Sequence, residues 1–185
     1  MNYGIYKYAR NSSWQCLIDC QTFQLPIKVV QIAACYDIVC RKSNKLDLCS
    51  AAGEIRKENG EICIFTDESQ TAERRRFTIM HELGHYLLGH LGDMPLSRSE
   101  HDCNSEEEQA ADKFAADVLM PACVLWGLNI QTPEEIAKLC NVSMQAATIR
   151  AERMKVLYQR NKFLLHPLER QVYVQFSEFI QNHKH

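Results

Sequence analysis

His81 and His85 stand four residues apart, with Glu82 beside the first, and so complete an H-E-x-x-H motif. On a helix this spacing puts both imidazoles on one face, where they can hold one zinc ion. Glu82 is then placed to take a proton from a water activated at the metal, the chemistry of peptide-bond hydrolysis. Phe77, Ile79, Met80, Leu83, Leu87 and Leu88 predict a buried helix around the motif. Taken alone, the stretch also fits a half-buried helix carrying two satisfied histidines. A third ligand distinguishes the two readings.

A catalytic zinc takes three protein ligands and leaves one position open. One class of site draws its third histidine from H-E-x-x-H-x-x-G-x-x-H. The register would need glycine at 88 and histidine at 91, where the chain has Leu88 and Leu91. His90 is off by one residue, about 100° around the helix. It reads better as a cap on the helix C-terminus, where positive charge is favourable. A second class takes a glutamate from another helix. Glu106, Glu107 and Glu108 open the helical stretch Ser105–Met120, which Pro121 stops. Glu108 and Asp112 share a face with Ala111 and Ala115, a small-residue face that can lie close against the metal helix. Glu108 is therefore the expected third ligand. Asp112, one turn on, is expected to accept a hydrogen bond from the distal nitrogen of a ligating histidine. Ser105-x-x-Glu108 is also a capping-box pattern; with Glu108 on the metal, the cap falls to Ser105 or Asn104.

The elements around these residues follow from periodicity and turn chemistry. Trp14, Leu17 and Ile18 predict an amphipathic helix over 8–23, and Pro26 opens a second that ends near Tyr36. Asp37 to Lys42 reads as a short strand. Ala51 to Arg56 and Ile62 to Thr66 flank an Asn59-Gly60 turn and predict a hairpin, its second arm the better buried. The result is a small antiparallel sheet ahead of the metal helix, with an edge that an extended peptide could join. Arg74, Arg75 and Arg76 read as the solvated first turn of that helix. The loop at 92–104 could cover one side of the cleft. Its His101, a tyrosine and a backbone N–H are the alternatives for stabilising an oxyanion. From Thr132, a capping-box helix, a turn at Asn141-Val142 and a Ser143-capped helix resemble a helix-turn-helix over 132–155. Residues 167–180 read as one final helix. The domain expectation is a metalloprotease domain over 1–127 and a helical region over 128–185.

The chain has 185 residues, 46% apolar and 24% charged, with a formal net charge of −2. These values suit a soluble globular protein and argue against a nucleic-acid coat or a polybasic membrane patch. Nine cysteines without C-x-x-C, no signal pattern at the start and no apolar run of roughly 18 residues predict a cytoplasmic protein with reduced thiols and no membrane association. Cys16 and Cys20 read as two buried thiols on one helix rather than a metal clip.

HELGHYLLGH, followed by E-x-x-A-D-x-F-A-A-x-x-L-M-P from Glu108 to Pro121, resembles the ImmA/IrrE family of metallo-endopeptidases. The likeness extends upstream to R-x-F-T-x-x-H-E-L-G-H at Arg75 to His85, and downstream to VSMQAATIR, similar to the family's V-S-x-x-A-x-x-x-R. It spans roughly Pro26 to Arg153. Where the family often has Asn, this chain has Asp112, which can still accept a hydrogen bond. The resemblance implies an α+β zincin-like fold, mainly helical, with Zn2+ on His81, His85 and Glu108 and with Glu82 as catalytic base. It implies a protein substrate, a cytosolic helix-turn-helix repressor whose cleavage derepresses mobile-element or stress-response genes. Two other readings compete. One is a DNA-binding regulator with a structural or vestigial zinc, using Lys138, Arg150, Arg153 and Lys155. The other is a partner-binding protein of the toxin–antitoxin kind.

Overall fold

The computed structural model describes residues 3–43, 53–91 and 105–184. In chain order the elements are α1 (Tyr3–Asp19), α2 (Val29–Cys35), β1 (Ile38–Ser43), β2 (Gly53–Glu58), β3 (Glu61–Asp67), α3 (Ala72–Leu88), α4 (Glu106–Leu119), α5 (Ala122–Gly127), α6 (Pro133–Cys140), α7 (Met144–Gln159), α8 (Pro167–Gln175) and α9 (Ser177–His183). The architecture is the expected one, mostly helical with a small three-stranded sheet ahead of the metal-motif helix. The chain divides into two compact units, Met1–Ser12 with Lys28–Ala115, and Ser13–Ile27 with Ala116–His185.

In the first unit the sheet order is β1-β3-β2. The hairpin forms as the Asn-Gly signal requires. β2 and β3 pair antiparallel with Glu58 opposite Glu61, and Asn59 and Gly60 both take positive φ, at 52° and 88°. β1 departs from the expectation of a wholly antiparallel sheet: it runs parallel to β3, Ile38 opposite Ile62. A parallel neighbour cannot arrive by a tight turn, and the connection from β1 runs through residues 44–52, outside the described residues. The central strand β3 is the best buried, with Cys63, Ile64 and Phe65 in the core, because both its edges are paired.

α3 packs on β2 and β3, and its Ile79, Met80 and Leu83 are buried. Thr71 caps it by accepting from the Arg74 N–H. Arg75 is not a solvated first-turn residue. Its guanidinium donates to the carbonyls of Glu68 and Gln70 and ties down the turn that feeds the helix. Gly89, at φ 78°, ends the helix in the left-handed conformation that glycine adopts without strain.

The second unit is all helix. Thr132 and Glu135 form the expected capping box of α6, Asn141 at φ 52° ends it, and Ser143 caps α7. Three expectations needed correction here or in α1 and α2. α1 runs from Tyr3 and stops at Asp19, where the Gln21 φ of 48° turns the chain; the helix was expected over 8–23. α2 begins at Val29, not at Pro26. The tail is two helices, α8 and α9, broken at the fully buried Phe176 with neither Gly nor Pro to signal it. α5 had no prediction, because six residues are too few to display a 3.6-residue period. No helix among the described residues is long and apolar enough to cross a membrane.

Candidate metal centre

The site begins with a packing choice. A Cβ added to Gly84 would stand 3.0 Å from Phe114 Cδ1 and 3.3 Å from Ala111 Cα. The glycine inside H-E-L-G-H and the small face of α4 therefore let the two helices approach closely. That approach brings Glu108 over His81 and His85. Ser105 Oγ accepts from the Glu108 backbone N–H at 3.2 Å, so the helix start is capped by serine while the Glu108 carboxylate points at the imidazoles.

The His81 and His85 Nε2 atoms are 3.0 Å apart. Glu108 Oε2 lies 3.1 Å from His81 Nε2, and Oε1 lies 3.3 Å from His85 Nε2. Among the described residues these three form the group able to hold a metal ion. The spacing can be tested against a metal. Ligands 2.0–2.1 Å from a tetrahedral zinc stand about 3.3 Å from one another. The two Nε2 atoms, 3.0 Å apart, are near that edge, and each meets a different oxygen of the Glu108 carboxylate, at 3.1 and 3.3 Å. The donor set, two imidazoles and a carboxylate, also suits zinc.

Each imidazole is held from behind. Asp112 Oδ1 is 2.9 Å from His81 Nδ1, so the histidine facing Asp112 is His81. His85 Nδ1 is 3.0 Å from His90 Nδ1. His90 is not on the α3 face at all. The turn at Gly89 folds it back, its backbone N–H bonds the His85 carbonyl at 3.0 Å, and its ring reaches the rear of His85. The expectation that the His90 ring caps the helix is thus corrected. Its backbone closes the helix; its imidazole meets His85.

Electrostatics follow from the geometry. Burial opposes protonation of His81. Hydrogen bonds to Asp112 and Glu108, with the charges of Glu82 and Asp112, overcome it and push the imidazole up to about 9. Glu108 is disfavoured as an anion by burial, but its bonds to His81 and His85 and their charges hold it well below the usual carboxylate range.

Glu82 is 5% exposed and lies under the first residue of β2. A Cβ on Gly53 would fall 2.2 Å from Thr78 Cγ2 and 3.7 Å from Glu82 Cγ. Gly53 thus lets the strand end rest on the face of α3 that carries Glu82, a role no local pattern announces. His101 and the 92–104 loop lie outside the described residues. Arg150 is not available to a DNA surface. It is 5% exposed, and its Nη2 donates to Asp117 Oδ1 and to the Ala116 carbonyl, both at 2.8 Å.

No curated protein matches the chain. A family model does, over residues 47–152, and it is described as the IrrE N-terminal-like domain, Peptidase_M78. That stretch covers more than half of the sequence and takes in the H-E-x-x-H helix, the glutamate helix, α5, α6 and the first part of α7. The chain belongs to the Peptidase_M78 family of metallopeptidases, the IrrE N-terminal-like domain.

Proposed function

We propose that this protein is a zinc-dependent endopeptidase acting in the cytoplasm on a helix-turn-helix transcriptional repressor, whose cleavage derepresses mobile-element or stress-response genes. The observation that carries the reading is the convergence of His81 Nε2, His85 Nε2 and the Glu108 carboxylate within 3.3 Å of one another. His81, His85 and Glu108 would hold the metal. When bound, zinc supplies Lewis acidity, polarising a carbonyl and lowering the pKa of a coordinated water toward about 7. Glu82, buried beside the site, takes the proton as general base and returns it to the leaving amine. Asp112 holds His81 in the tautomer that keeps Nε2 free for metal.

β2 has β3 as its one strand neighbour among the described residues, and its Gly53 end rests near Glu82. An extended peptide pairing with the outer edge of β2 would pass close to that carboxylate. The DNA-binding alternative relies on four cations, and Arg150 is lost to the buried pair with Asp117.

The test is a co-incubation of protein, zinc and a candidate repressor. Glu82→Gln is expected to keep one zinc per chain and to lose about 10²–10⁴-fold in cleavage rate. His85→Ala is expected to lose the metal. Full activity in the first variant, or full zinc occupancy in the second, would sink the assignment.

A further inference from the structure

The two candidate ligating histidines are not supported alike. His81 has a carboxylate behind it, as metal-bound histidines commonly do. His85, only 1% exposed, has a second imidazole. Two neutral imidazoles can share a hydrogen bond only if one nitrogen carries the proton and the other offers a lone pair. The metal reading, on which this inference rests, decides the direction. His85 Nε2 faces His81 and Glu108 and must present its lone pair there. Its proton then sits on Nδ1, which donates to His90 Nδ1. The His90 proton must in turn sit on Nε2.

From this geometry we infer that His90 is a positioning residue of the metal centre, holding His85 in the Nδ1–H tautomer and fixing its ring plane. The device depends on chain geometry as much as on chemistry. Helix α3 ends at Leu88, and the left-handed Gly89 turns the chain so that residue 90 reaches back to residue 85. A continuing helix would have carried His90 about 140° away from His85 around the axis. The acceptor is neutral where Asp112 is anionic. His90 therefore acts on the orientation of its partner more than on its charge, and the two histidines are unequal ligands.

The experiment uses the full chain and zinc alone, with affinity read by competition against a chromophoric chelator. H90L removes the acceptor while keeping bulk. It is expected to weaken zinc binding about 10- to 100-fold, the usual loss when such a support is removed. H90N keeps an acceptor, since its Oδ1 stands where the ring Nδ1 stood, and is expected to stay within about threefold of the wild type. Nitrogen-15 spectra of the zinc-loaded wild type are expected to show His85 protonated on Nδ1 and His90 on Nε2. A merely structural role for His90 would produce neither the asparagine rescue nor that tautomer pair. H90L binding zinc as tightly as the wild type, H90N no better than H90L, or His90 protonated on Nδ1 would each overturn the inference. If H90L does not fold, H90N and the tautomers of the wild type still decide it. A wild type that takes up no zinc removes the metal reading itself. Zinc uptake without any cleavage of a repressor removes only the proposed substrate.

Discussion

Two places in this molecule set charged or polar side chains against each other across helices, and they end in opposite states. In the second unit, Arg150 on α7 meets Asp117 on α4, and a donor faces an acceptor at 2.8 Å. The two opposite charges meet directly. In the first unit, α3 and α4 bring together two imidazoles and a carboxylate, all of which can act as acceptors. Nothing in that trio supplies a permanent positive charge. The hydrogen bonds and charges that His81 and Glu108 exchange raise the first and depress the second against the opposing effect of burial. The contrast separates an ion pair, in which the Arg150 guanidinium meets the Asp117 carboxylate directly, from a cluster of donor atoms able to hold a metal ion.

The sharpest way to break the comparison is at the closed pair. Arg150→Met removes the guanidinium that faces the buried Asp117, and a loss of about 3–5 kcal/mol of stability is expected. The denaturant midpoint should fall accordingly, while zinc stoichiometry in the folded fraction stays at the wild-type value. Pairing it with Asp117→Leu should recover most of the loss. A single variant as stable as the wild type would mean that the pair is not the structural element described. At the open site, the largest effect after the ligands themselves belongs to Gly84. Gly84→Ala gains about 1 kcal/mol in helix propensity. Against that, overpacking on the Ala111 backbone and Phe114 costs about 1–3 kcal/mol. Net stability should change little, but α4 is pushed away from α3, and zinc affinity is expected to drop several-fold in chelator competition. Unchanged affinity would argue that Glu108 can follow the metal without close helix packing.

The smallest change in structure comes with the pH response, which alters a proton and no side chain. The metal displaces a proton that His81 holds up to about pH 9. Apparent zinc affinity should therefore rise about tenfold per pH unit through the neutral range and level off near 9. Calorimetry in buffers of different ionisation enthalpy should report about one proton released at pH 7.5. The sign for the metal-free protein is the reverse. A raised pKa stabilises the fold fully below the unfolded histidine value of about 6.5, and that contribution disappears as pH rises through about 9. Metal-free protein should thus lose stability over this window, and zinc should abolish the trend.

Local pattern carried far in some regions and failed in others. Asn59-Gly60, Thr132 with Glu135, and Ser143 each act within a few residues of themselves, so the turn and caps they signal form where the letters stand. The α8–α9 break at Phe176 and the start of α2 at Val29 depend on what buries the neighbouring side chains, and no short-range signal marks them. The parallel partnership of β1 with β3 is likewise a contact between distant segments. Arg150 shows the same limit for charge. A lysine- and arginine-bearing helix reads as a basic face until an aspartate 33 residues away claims one of the cations.

What the sequence alone determined is the chemistry. The four-residue spacing of His81 and His85, the Glu82 beside them, and the small face that Ala111 shares with Glu108 and Asp112 are properties of helical periodicity, and they hold wherever those helices lie. What only the tertiary structure decided is which atom meets which: Asp112 on His81, Gly53 against Glu82, and His90 on His85. The last was hidden for a definite physical reason. Helical register places residue 90 away from residue 85, and only the left-handed turn at Gly89, seen in three dimensions, brings it back.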